Sequence, residues 1–166
     1  MKKITILAII LLTACSEPMT KEEALAQLAS QPEYNSYFYA PMEIGRTVLS
    51  GDDHKESNEF IKSHYGPLTS QGLVEVELRG KNSWRTVIFV SLSPKGEQMS
   101  DPRRADSTHC YVAVCRLKPV AVDSLVAKGD STLCLYTIEQ SELTPFGIHL
   151  GFKDKTQYHL QTMLKN

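Results

Sequence analysis

The sequence predicts an α+β fold: three short helices and a β-hairpin, then a small antiparallel β-meander closed by a C-terminal helix. Three observations carry this reading. Thr20-Lys21-Glu22-Glu23 is a capping box, with Ala24, Leu25 and Leu28 following at helical spacing. Val74, Val76 and Leu78 alternate with Glu75 and Glu77, the period-two pattern of a half-buried strand. After residue 107, three apolar runs follow one another with turn residues between the last two.

Taken in order, the first helix ends at Ser30-Gln31-Pro32. Tyr34, Tyr37, Phe38 and Tyr39 then form an aromatic cluster, read as packing over that helix rather than as a ligand platform. A second helix is expected over 41–49, with Pro41 at its first position and Ile44, Val48 and Leu49 inward. A third runs over 54–64, burying Phe60 and Ile61, and Gly66-Pro67 stops it. Residues 80–83 turn the chain from the strand at 74–78 into a return strand at 86–92, which Pro94-Lys95-Gly96 closes. The polar stretch 100–107 marks a soft boundary between a unit at 20–99 and a second at 106–166. In the second unit, strands are expected over 110–117, 120–125 and 133–138, with Lys128-Gly129-Asp130 as a turn. A helix carrying Tyr158, Leu160, Met163 and Leu164 ends the chain. No internal repeat is visible in the sequence.

The chain opens on Met1, Lys2 and Lys3, followed by an apolar run over 4–12 that only Thr5 interrupts. That run is far short of the ~20 residues needed to span a bilayer. A charged start, a short apolar stretch and small residues before a cut site describe a secretory signal peptide, here residues 1–14. Leu12-Thr13-Ala14-Cys15 resembles the lipobox of bacterial lipoproteins. The resemblance implies that the Cys15 thiol receives a diacylglycerol, that cleavage falls before Cys15, and that the new amino group is acylated. Residues 15–19 then form a lipidated tether. One acyl chain holds a protein only marginally, whereas several hold it durably. Ser16 after the cysteine, by the same resemblance, points to the outer membrane, with the body facing the periplasm of a bacterial envelope.

The 166 residues carry 18 basic and 19 acidic side chains, and 42% are hydrophobic. That is enough apolar content for a packed core. Loss of the leader removes Lys2 and Lys3 and leaves a slightly acidic body with no electrostatic footprint for nucleic acid. Three cysteines remain beyond Cys15. Cys110 and Cys115 lie on one strand, about 16 Å apart at the usual rise per residue, too far to bridge each other. A disulfide, where one forms, joins Cys134 to Cys110 or to Cys115; the alternative is three buried thiols.

The order of helices and hairpin, with Gly72-Leu73-Val74 and the phrase Val90-Ser91-Leu92-Ser93-Pro94-Lys95-Gly96, resembles the wing region of bacterial winged-helix regulators over about residues 20–99. The resemblance implies a DNA-binding fold. The charges oppose that function: the third helix sets Asp53, Glu56 and Glu59 against Lys55 and Lys62, whereas a recognition helix needs cations for phosphates. A winged-helix-like fold without nucleic-acid binding is therefore expected.

No nucleophile elbow, zinc pattern, EF-hand loop or phosphate loop occurs in the sequence. His109 beside Cys110 is an adjacent pair, and neighbours on a strand point to opposite faces. No catalytic residue, metal or cofactor is expected. The reading is a membrane-anchored, non-catalytic binding module with a protein partner in the envelope. The alternative is a small periplasmic enzyme or metal-binding protein using His109, Cys110, Cys115 and Cys134.

Overall fold

Two antiparallel sheets organise the chain. The computed structural model describes residues 18–166; the expected signal peptide, Cys15 and Ser16 lie outside the described residues. The elements in order are α1 (Lys21–Ala29), β1 (Tyr37–Glu43), β2 (Gly45–Ser50), α2 (Gly51–Lys55), α3 (Ser57–His64), α4 (Gly66–Thr69), β3 (Val74–Lys81), β4 (Arg85–Leu92), α5 (Pro94–Glu97), β5 (His109–Lys128), β6 (Ser131–Ser141), α6 (Pro145–His149) and β7 (Gln157–Lys165). The large sheet has strand order β1-β5-β6-β7 and the small sheet β2-β4-β3.

The expected α+β layout is overturned: the chain is mostly strand, and its N-terminal half is not a three-helix unit carrying a hairpin. The helix expected over 41–49 is instead the end of β1, Ile44 and β2. Ala40 and Met42 point into the core while Pro41 and Glu43 point out, a period of two that the lone proline obscured. Pro41 is tolerated because β1 is an edge strand. Gly45 breaks the run at φ +82°, and a Cβ there would stand 2.8 Å from the Ser107 carbonyl oxygen. The C-terminal helix is likewise a strand, β7. Tyr158, Leu160 and Leu164 fit a spacing of two as well as a helical face, and pairing with β6 decides between them. The helix expected over 54–64 is divided into α2 and α3.

The expected capping box does form: the Thr20 hydroxyl accepts from the Glu23 amide, and Glu23 accepts from the Thr20 amide at 2.8 Å. The helix it starts packs on the large sheet, away from α2–α4, so the winged-helix arrangement does not assemble. The two strands expected over 110–117 and 120–125 are one, the 20-residue β5. Bulges between Pro119 and Ala121 and between Val122 and Ser124 absorb what reads as a break. The first part of β5 pairs with β1 and the rest with β6.

This long strand joins two cores. In the larger, Leu49, Val74, Ile88 and Val90 of the small sheet face Met42, Val112 and Val114 of the large one, with Leu68 and Phe146 packed between elements. That core draws on residues from both sides of 100–107. In the smaller core, Ala24 and Leu28 of α1 lie on Val122, Cys134, Tyr136 and Leu164.

Candidate functional site

The chain places aromatic side chains around a groove that α1 leaves uncovered. Its floor is Leu117, Ile138 and Leu160, one from each of β5, β6 and β7. Tyr34, Phe38, Tyr39, Arg104, Tyr111 and Phe152 complete its lining. The cavity volume is about 600 Å³, within the range of small-ligand and side-chain pockets.

Local structure fixes the lining. Pro32–Tyr34 is a 3-10 turn that follows α1, and it brings the Tyr34 hydroxyl within 2.7 Å of the Tyr136 hydroxyl. The two rings meet edge to face at 6.4 Å. Burial, and then the bond to Tyr136, raise the Tyr34 pKa, so this hydroxyl stays protonated. A register shift between Phe38 and Tyr39 turns Phe38 out of the strand's alternation. Its ring lies 6.2 Å from that of Phe152, tilted by 55°, yet Phe38 remains 44% exposed. The Arg104 guanidinium is stacked 3.8 Å above the Tyr111 ring.

An adjoining hollow of about 270 Å³ shares Phe152 and is lined by Gln140 and Tyr158. The Gln140 amide nitrogen donates to the Tyr158 hydroxyl at 3.1 Å, while its buried oxygen has no partner among the described residues. An unmatched buried polar atom costs about 1–3 kcal/mol, so a donor presented there is favoured. The sequence cluster at 34–39 announced the rings. It could not announce Tyr111, Phe152 and Leu160, which strand pairing and the 150–156 loop bring in from far along the chain.

The residues singled out as alternatives for chemistry do not converge. Cys110 and Cys115 belong to the larger core and Cys134 to the smaller. All three are buried free thiols. Cys134 stands opposite Leu125, ten residues along β5 from Cys115, a separation of about 30 Å at the usual rise. The expected bridge from Cys134 to Cys110 or Cys115 therefore does not form, because a disulfide needs Cα atoms within about 7 Å. Burial pushes the Cys110 thiol up to about 11 and raises Cys115 as well. Burial, and then the Asp123 charge, raise Cys134. All three thus stay in the un-ionised form that is a poor nucleophile and ligand. His109 points away from Cys110 and takes Thr108 as partner at 2.9 Å. No three His, Cys, Asp or Glu side chains converge as a metal set among the described residues.

One constellation lay beyond the sequence: Asp123, Thr137 and His159 meet on the large sheet. The Thr137 hydroxyl lies 3.0 Å from His159 Nδ1 and 3.1 Å from Asp123 Oδ2, and that carboxylate is 3.2 Å from the same Nδ1. A nucleophilic triad sets its acid and its hydroxyl on opposite ring nitrogens; here both crowd one nitrogen. The arrangement satisfies a polar cluster beside the β5 bulge and does not activate Thr137.

Comparison of the chain with protein-family models, with curated proteins and with solved structures finds no match.

Proposed function

We propose that this chain is a lipid-anchored, non-catalytic binding module of the bacterial envelope, and that the aromatic groove receives an apolar or aromatic side chain of a protein partner. The observation that carries the reading is the groove itself: rings from three separate chain segments line one hollow, with Phe38 left exposed at its edge. A monomer gains nothing by leaving such a ring in water, and aromatic residues beside an arginine are the side chains most enriched where proteins bind one another. The free face of the Arg104 guanidinium makes no ion pair among the described residues, which suits a carboxylate flanking the inserted side chain.

A photo-crosslinking amino acid at Phe38, in the native envelope, tests this directly. The expected result is one discrete adduct that Leu160→Lys abolishes and Arg104→Glu weakens. The same crosslinker at the exposed Trp84 of the small sheet gives no such adduct. Equal, diffuse labelling from both positions would contradict the proposal.

A further inference from the structure

The end of the large sheet carries a second exposed apolar surface, on the face opposite α1. Register defines it rung by rung. Val126, Leu133 and Met163 lie side by side across β5, β6 and β7. One rung toward the hairpin turn come Lys128, Ser131 and Lys165, and one rung the other way Ser124, Leu135 and Gln161. Paired residues point to the same face. Val126, Leu135 and Met163 are 45%, 38% and 52% exposed. An apolar row bordered by two lysines on one face is the composition of a surface that rests on lipid headgroups.

The chain itself says what covers this surface. Met19 packs against the smaller core, just before α1. Lys21 donates to the Asp123 carbonyl at 2.7 Å, while Ala29 at the other end of α1 lies near Leu117 and Pro119. The helix therefore runs antiparallel to β5, and Met19 sits at the end of the body nearest the Lys128-Gly129-Asp130 turn. Met19 is only four positions beyond Cys15, a reach of at most about 14 Å. Packed layers are about 10 Å apart, so a lipid on Cys15 keeps this end of the body within little more than one layer's thickness of the bilayer.

We infer that the Val126-Leu133-Met163 surface lies against the membrane into which the Cys15 lipid inserts, with Lys128 and Lys165 meeting lipid phosphates. This rests on the lipidation reading. The partner is the bilayer itself. The contact fixes the orientation of the body, so that the aromatic groove, at the other end of α1, is held away from the lipid.

The test uses the full chain made with its own leader, extracted, and reconstituted into vesicles of phosphatidylethanolamine and phosphatidylglycerol bearing bromines high on the acyl chains. Intact mass first establishes whether Cys15 carries lipid. In a Trp84→Phe background, the Met163→Trp variant is expected to lose most of its emission to the bromines. The unaltered chain, whose single tryptophan is Trp84 on the β3–β4 turn, keeps its emission. Val126→Trp serves as a second probe on the same rung. Lipid on Cys15 with no quenching at either probe overturns the inference and leaves the anchor standing. Protection from aqueous iodide without quenching by bromine also overturns it, because a protein or a second copy then covers the face. Absence of lipid on Cys15 removes the premise, and the inference falls with it.

Discussion

In the small sheet the β3–β4 hairpin is followed by Ser93-Pro94-Lys95-Gly96; in the large sheet the β5–β6 hairpin is followed, after a short turn, by Thr144-Pro145-Phe146-Gly147. The two segments are the same clasp. In each, the hydroxyl accepts from the glycine amide at 3.1 Å and caps a one-turn helix. In each, the hydroxyl also donates to a backbone carbonyl: Ser93 to Gly72, and Thr144 to Ala113. In each, the glycine lies directly on backbone, that of the residue leading into β3 at Gly96 and that of β5 at Gly147. A Cβ would stand 2.0 Å from the Leu73 oxygen at Gly96 and 2.1 Å from the Val114 oxygen at Gly147. The third position differs. Lys95 is exposed, whereas Phe146 is completely buried in the core between the sheets. The same backbone device thus ends one hairpin and, in the other, also delivers a ring that joins the two sheets.

Substitutions at matched positions sharpen this comparison, and chemical denaturation reads them. Phe146→Ala is expected to cost about 3–5 kcal/mol, as for other large core side chains, while Lys95→Ala stays within about 0.5 kcal/mol. Equal costs at the two sites would break the assignment of different roles. Gly96→Ala and Gly147→Ala should each cost about 1–3 kcal/mol, since the obstructing atom is backbone and cannot rotate away. A loss at one glycine only would show that the clasps are not equivalent.

The smallest expected effect is a pH dependence confined to one clasp. Five residues beyond each cap stand Gln98 and His149. The His149 ring lies 4.7 Å from that of His64. Burial, and then the nearby His64, lower its pKa below the ordinary 6.5. The folded chain therefore holds fewer protons here than the unfolded chain. The contribution is fully present above pH 6.5 and is lost as pH falls through that value toward and below the folded pKa. His149→Gln, which copies the other clasp, should flatten the decline in stability between neutral and mildly acid pH. An unchanged slope would contradict the role of His149.

The clasps also show what a sequence exposes. Both lie in plain view as a hydroxyl residue, proline, any residue and glycine, yet a four-residue likeness does not register as a repeat. Local signals with one physical meaning were legible: the Thr20–Glu23 box, the 74–78 alternation and the 128–130 turn. Segments that satisfy two periods were not. Tyr158, Leu160 and Leu164 fit a helix or a strand, and only the free edge of β6 selects the strand. Pro41 fits the first turn of a helix or an edge strand, and only pairing with Tyr111 settles it. For the groove, the Tyr34–Tyr39 cluster is visible in the sequence, but it reads as packing because its partners Tyr111, Phe152 and Leu160 arrive through long-range pairing.

The proposed anchor and the proposed membrane contact both turn on Cys15. The most direct measurement is the intact mass of the protein extracted from its native membrane, with peptide mapping of the mature N-terminus. The account predicts that the chain begins at Cys15 and carries a diacylglycerol and an additional acyl chain. A chain that retains Met1, or one cut elsewhere without lipid, would contradict it.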